Sequence, residues 1–104
     1  MCENIDWNVG RIIEQLEKNN LIENTIVIYL SDNGPKSRRF NCNLRGKKGS
    51  VYDGGVKSPC LIKLPGKQLK HKSILTPVAH IDLLPTIAAH CNVDPRLIKG
   101  IDGL

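Results

Sequence analysis

The chain has 104 residues, of which 40% are hydrophobic, 24% charged and only 4% aromatic. That length supports one modest core, and that composition excludes an intrinsically disordered chain. The formal charge of +5 favours anionic partners in general, but so few aromatics exclude the cation-and-ring face that grips single-stranded nucleic acid.

In chain order, Ile5, Val9, Ile12, Ile13 and Leu16 recur at helical spacing and predict an amphipathic helix from Cys2 to about Asn20. Asn19-Asn20 is its expected stop, because Asn tolerates the left-handed conformation of a helix end. Leu21-Ile22 is a short connector. Thr25 to Leu30 is β-branched and continuously apolar, which predicts a strand buried on both faces, as in a parallel sheet. Residues 32–58 form a long aperiodic loop with six of the fifteen Lys and Arg residues between Lys36 and Lys48. Loops of that length in compact domains are usually functional or disordered.

Pro59 to Pro65 reads as a short strand bracketed by prolines, and Gly66 to Lys72 as a basic turn. Leu75 to Ile81 is expected to be a further strand. Asp82 is placed to cap a helix through Leu83, Leu84, Ile87, Ala88 and Cys91, with Pro85 tolerated in its first turn. Asn92 to Leu104 returns to loop. Leu83, Leu84, Ile87, Ile26 and Ile28 are expected to be buried. Cys2, Cys42, Cys60 and Cys91 form no C-x-x-C pair, which argues against a zinc knuckle; their wide spacing suggests no disulfide framework, a single bridge stays open, and most are expected to be small apolar fillers. No apolar run reaches bilayer-spanning length, and the N-terminus carries no signal-peptide pattern.

The candidate site begins where the first strand ends, at Ser31-Asp32-Asn33-Gly34-Pro35. In open α/β sheets, ligands sit beyond the carboxyl ends of strands. Asp32 and Asn33 offer hard oxygen donors suited to Ca²⁺ or Mg²⁺. The same residues are also turn formers, so a plain turn is the alternative. Downstream, LRGKKGSVYDGGVKSP mixes cations with glycines, and Gly54-Gly55 would let backbone approach closely. A solvated surface loop is the alternative there.

Taken together, these segments resemble the sulfatase family, arylsulfatase-like members of the alkaline phosphatase superfamily. The strand ending in SDNG, the following Lys-Gly, the acidic residue before Gly-Gly, and SP resemble the second half of its catalytic domain. ENIDWNVGRIIEQLEKNNLIENTIVIYLSDNG resembles the helix–strand lead-in to the family's metal site. VAHIDLLPTIAAHCNV is similar to its HxDLxPTL helix, and GIDGL to the start of its DGxSL segment.

The resemblance implies an α/β fold, a fragment of a mostly parallel sheet flanked by helices, with residues 1–104 forming a partial catalytic domain truncated at both ends. It implies Asp32 and Asn33 as ligands of Ca²⁺, or Mg²⁺, and Lys48 as the lysine that contacts the sulfate. Arg45 is implied as a second substrate-side or loop-orienting cation. Lys48 rather than Lys47 is chosen by its spacing to Gly54-Gly55 in the family pattern. The sequence departs from that pattern at Lys47, where Gly is commoner, at Asp53 for Glu, and at Lys57 for Arg.

The family's nucleophile is a formylglycine made from cysteine in C-x-P-x-R, and none of the four cysteines here is followed by that pattern. The family's catalytic histidines lie upstream of this region. His71, His80 and His90 are poor replacements: a Lys-rich turn, a strand–helix junction and a late helix position.

The implied reaction is therefore hydrolysis of an aryl or carbohydrate sulfate ester. It would be completed by the missing remainder of the catalytic domain, in a periplasmic, secreted or lysosomal parent. A related phosphoester or phosphonate hydrolase would more often carry His after the strand-end Asp, so Asn33 argues against it. A non-catalytic module that binds anions through the basic loop is the third reading.

Overall fold

The computed structural model describes residues 2–66 and 72–103, with Arg38 by its backbone alone. His71 and most of the basic turn expected over Gly66 to Lys72 lie outside the described residues. The chain divides into two compact units, Met1–Lys70 and His71–Leu104.

The first unit opens with helix α1, Cys2–Lys18. Its end is set by Asn20, whose φ of 57° is left-handed. The Leu21 amide reaches back to the Leu16 carbonyl at 2.8 Å and the Asn20 amide to the Glu17 carbonyl at 2.9 Å. This is a Schellman ending with Asn in the place glycine usually takes. A single 3₁₀ turn, Ile22–Asn24, then leads into strand β1, Val27–Leu30.

Strand β2 is Cys60–Lys63. It pairs with β1 antiparallel, with Val27 opposite Lys63, Ile28 opposite Ile62, Tyr29 opposite Leu61, and Leu30 opposite Cys60. The expectation of a mostly parallel sheet is therefore wrong: among the described residues this α/β chain has a sheet of two antiparallel strands. The reason lies in the connection. A parallel partner requires the chain to cross back along the sheet before the next strand starts. Here residues 31–59 return to the end they left. The Ser31 amide donates to the Pro59 carbonyl at 3.2 Å, and the Gly34 amide to the Gly55 carbonyl at 2.8 Å. Strand β2 starts beside the end of β1, so it must run the other way. The continuous apolar run that motivated the parallel reading is only half-buried over Val27, Ile28 and Tyr29.

Glycine makes that return possible. A Cβ on Gly34 would overlap the Gly54 carbonyl oxygen. One on Gly54 would lie 2.6 Å from the Gly46 oxygen and 2.7 Å from the Arg45 oxygen. One on Gly55 would overlap the Ser50 carbonyl. All three glycines are buried in bulk, because bare backbone packs on bare backbone there, except that Gly55 also meets the Ser50 hydroxyl. Between them, residues 53–56 form the short helix α2, Asp53–Val56.

In the second unit, the segment expected to be a strand from Leu75 forms none: it bends at Thr76 and enters a 3₁₀ turn at His80–Asp82. Helix α3 follows directly, Leu83–His90. Asp82 acts one turn earlier than expected. Its carboxylate accepts the Ala79 amide at 2.7 Å, as the back-reaching acid of a capping box does. Asn92, with φ 54°, ends α3 as Asn20 ends α1, since the Val93 amide reaches the Ala88 carbonyl at 3.0 Å. A last 3₁₀ turn, Pro95–Ile98, starts from Asp94, which accepts the Arg96 amide at 2.9 Å. The Arg96 side chain, and then its amide, hold the Asp94 carboxyl below its ordinary range.

Burial is sparse. Ala88 is the buried apolar residue of the second unit, and among the described residues no large side chain is fully enclosed. Ile26, Ile28 and Leu83 are half-buried, whereas Leu84 and Ile87 are exposed, against expectation. The four cysteines are free and exposed rather than apolar fillers. Considerable apolar surface remains open on α1, where Trp7 is 61% and Ile12 59% exposed. Among the described residues, no helix is long and apolar enough to cross a membrane.

The glycine packing gives a paired expectation. Gly34→Ala should cost about 1–3 kcal/mol, because a methyl group must displace backbone. Gly10→Ala, where a Cβ in α1 meets nothing within 4 Å, should stabilise by about 0.5–1 kcal/mol. Urea midpoints measured by circular dichroism at constant m-value would check both.

Candidate functional site

Asp32 and Asn33 stand immediately beyond β1, as their sequence position requires. Asp32 is exposed and Asn33 half-buried. The turn that carries them is tied on both sides. Upstream, the Ser31 hydroxyl donates to the Asn33 carbonyl at 3.3 Å. Downstream, the Gly34 amide is bonded to Gly55, and the Pro35 carbonyl accepts the Lys48 amide at 2.9 Å. That last bond joins the basic loop to the strand-end turn by way of the residue singled out as the sulfate-contacting lysine.

Lys47 and Lys48 are both exposed, but their backbones are held differently. Lys47 closes a small turn with Ser50. Its amide donates to the Ser50 hydroxyl at 3.1 Å, and its carbonyl accepts that hydroxyl at 2.8 Å and the Ser50 amide at 3.0 Å. Its main chain faces the Ser50–Gly55 side of the loop, whereas that of Lys48 faces Pro35. Gly49, with φ 88°, follows in a conformation that side chains rarely adopt.

Arg45 is braced from one side. Its guanidinium lies 3.7 Å from the centre of the Tyr52 ring, and one of its nitrogens donates to the Tyr52 hydroxyl at 2.7 Å. Its carbonyl accepts the Gly54 amide at 2.7 Å, so Arg45 is part of the glycine packing as well. Arg39 stacks similarly on Phe40, at 5.1 Å. Such cation–ring pairs contribute on the order of 0.5–1 kcal/mol where exposed.

Two residues that sequence reasoning passed over hold this loop. Asn41 is buried, and its carboxamide donates to the Leu44 carbonyl at 2.8 Å and to the Gly46 carbonyl at 3.1 Å. Cys42 and Asn43, both with positive φ, form the tight turn between them. Asn41, Asn43, Leu44 and Arg45 line an open hollow of about 300 Å³. Tyr52 is the other. The only hint of Asn41 in the sequence is a second Asn two residues on, a residue type that accepts left-handed φ. Tyr52 has no hint beyond its seven-residue spacing from Arg45.

Two of the three departures from the family pattern, Asp53 and Lys57, meet each other. The Lys57 ammonium lies 2.8 Å from the Asp53 carboxylate, one helical turn apart. Both ends of that pair are largely exposed, so it adds little stability.

As a cation site, this donor set has the right chemistry and a limited count. Asp32 and Asn33 contribute hard oxygens, and among the described residues no group of three or more His, Cys, Asp or Glu side chains comes together. His80 sits in the 3₁₀ turn before α3 and His90 at the exposed end of α3, within the second unit.

A sulfatase family profile matches residues 1–93. The chain belongs to the sulfatase family. Steryl-sulfatase of Mus musculus is 32% identical over 111 residues, covering 97% of this chain and 18% of that enzyme. Arylsulfatase A of Homo sapiens is 38% identical over 95 residues, covering 82% of this chain and 18% of that enzyme. A crystal structure of Ps i-CgsB in complex with k-i-k-neocarrahexaose matches with a TM-score of 0.84 at 34% identity, over 99% of this chain and 23% of that one. This sulfatase chain thus spans about a fifth of the length of the curated relatives it matches.

The limited donor count sets an expectation for the chain by itself. Ca²⁺ takes roughly six to eight oxygens, so two adjacent side chains should bind it at about millimolar affinity or weaker. Calorimetry, with amide shifts of Asp32 and Asn33 as the local readout, would measure it. Micromolar binding would mean that the chain holds further ligands.

Proposed function

We propose that this chain forms part of the active site of a sulfate-ester hydrolase, acting on an aryl or carbohydrate sulfate. Asp32 and Asn33 hold a divalent cation, Ca²⁺ or Mg²⁺, at the end of β1. Lys48 contacts the sulfate group from the adjoining loop. Arg45 supplies a second substrate-side cation, kept in place by Tyr52. The observation that carries this reading is the backbone bond between Lys48 and Pro35, in a chain that belongs to the sulfatase family. It ties the lysine-bearing loop to the turn of the two oxygen donors.

The chemistry follows from charge. When the S–O bond of a sulfate ester breaks, negative charge develops on the sulfate and leaving-group oxygens. Positive groups fixed near those oxygens lower the barrier without reorganising. A bound divalent cation would add Lewis acidity at a sulfate oxygen. The Lys48 ammonium supplies a donor whose point of attachment, the main chain bonded to Pro35, is fixed. The nucleophile and the remaining cation ligands come from the rest of the catalytic domain, because no cysteine of this chain lies in C-x-P-x-R.

The chain alone should therefore release no product from a chromogenic aryl sulfate, with or without added Ca²⁺, since no covalent route exists without the nucleophile. Turnover that survives repurification would overturn the proposal. In a complete catalytic domain containing this chain, Lys48→Ala should reduce kcat/KM by about 2.7–4 kcal/mol of transition-state stabilisation, the scale of losing one oxyanion donor. Lys47→Ala should cost far less, because its main chain is turned to Ser50 rather than to the strand-end turn. Equal losses, or a larger one at Lys47, would show that the other lysine is the sulfate contact.

A further inference from the structure

Asn33 is the only one of the nine asparagines followed by glycine. An unhindered Asn-Gly pair is chemically unstable. The backbone nitrogen of the glycine, once its proton passes to solvent base, bonds to the asparagine side-chain carbonyl carbon. The carbon–nitrogen bond to the side-chain amide then breaks, and ammonia leaves with a proton from water. The cyclic succinimide so formed is opened by water to aspartate or isoaspartate. Nothing is oxidised or reduced, and water is the one co-reactant.

The structure opposes this chemistry at each point. The attacking atom would be the Gly34 nitrogen, which is buried and donates its proton to the Gly55 carbonyl at 2.8 Å. Losing that proton means losing the bond. Attack also requires the peptide between Asn33 and Gly34 to rotate. That peptide is tied before by the Ser31 hydroxyl on the Asn33 carbonyl, and after by the Lys48 amide on the Pro35 carbonyl. Gly34 also packs so closely on the Gly54 carbonyl that even a Cβ would overlap it.

We propose that Asn33-Gly34 is a latent deamidation site held shut by the Gly34–Gly55 backbone contact. Opening that contact exposes the Gly34 nitrogen and allows the irreversible conversion of Asn33. Aspartate at position 33 places a second carboxylate next to Asp32. Isoaspartate adds an atom to the main chain, so the Gly34 amide no longer meets Gly55. The inference concerns the chain's own chemistry and stands apart from the sulfatase reading: it needs neither a cation nor turnover.

The test uses the 104-residue chain, aged in mildly alkaline buffer with and without denaturing urea, and peptide mass spectrometry. Hydrogen exchange at the Gly34 amide is measured under the same native conditions. Asn33 should be the fastest-converting asparagine in urea. In buffer it should be slowed at least about tenfold, equivalent to about 1.4 kcal/mol of opening free energy. The slowing should equal the protection factor of the Gly34 amide, since both reactions need the same opening. Gly54→Ala, whose methyl would press on the Arg45 and Gly46 carbonyls, should raise both rates together. Ser50→Ala, which removes only the hydroxyl that closes the Lys47 turn, should do so more mildly and serves if Gly54→Ala does not fold. The proposal is overturned if Gly34 is unprotected in buffer, if Asn33 converts equally fast with and without urea, or if either variant speeds exchange at Gly34 without speeding conversion of Asn33.

Discussion

Gly34 has no side chain, and the carbonyl of Gly54 lies where one would begin. Most of the first unit depends on that approach of backbone to backbone. It lets the Gly34 amide reach Gly55, and it brings the chain back to the point where β1 ended. The direction of β2 follows from it, and with it the antiparallel register. So does the placing of the basic loop, whose Arg45 carbonyl binds the Gly54 amide. With no buried apolar side chain among its described residues, this part of the molecule is organised by main-chain hydrogen bonds, which are individually modest but costly to leave unmade when buried.

Much of this could be read from residue order. The apolar spacing of Ile5, Val9, Ile12, Ile13 and Leu16 marks α1, and Asn20 stops it for the reason expected, a left-handed φ. The bracket of Pro59 and Pro65 marks β2. The run through Leu83, Leu84 and Ile87 marks α3. Strand direction could not be read, because it depends on which glycines meet, and Gly34 and Gly54 are twenty residues apart in sequence. A continuous apolar run states that a strand wants cover, but not from what. The same limit explains Leu75 to Ile81. Its apolar residues suit a strand, yet a strand exists only against a partner, and Leu75 and Val78 remain exposed.

The candidate residues could be picked out in the sequence by their polar chemistry, but their supports could not. Asp32, Asn33, Lys48 and Arg45 are distinctive in type and order, and the roles proposed for them rest on family resemblance. Asn41 and Tyr52 are ordinary residues whose importance comes only from where the loop puts them. A buried carboxamide that binds two carbonyls does its work through geometry, which composition cannot encode. The Asp53–Lys57 pair lies between these cases. Each residue alone departs from the family pattern, and only the structure shows that the two departures face each other.

The bond from Lys48 to Pro35 also divides the long loop in two. The stretch between them leaves and returns at one hydrogen bond, so it is a closed circuit of its own, an Ω-like loop hung from a fixed base. Lengthening such a circuit is inexpensive, with each doubling adding only about 0.6 kcal/mol of closure entropy. The arc through Phe40 and the Cys42-Asn43 turn can therefore vary in length and composition while Lys48 keeps its anchor. In a chain of the sulfatase family, this division lets the tip of the arc change while the base that ties Lys48 to Pro35 stays fixed.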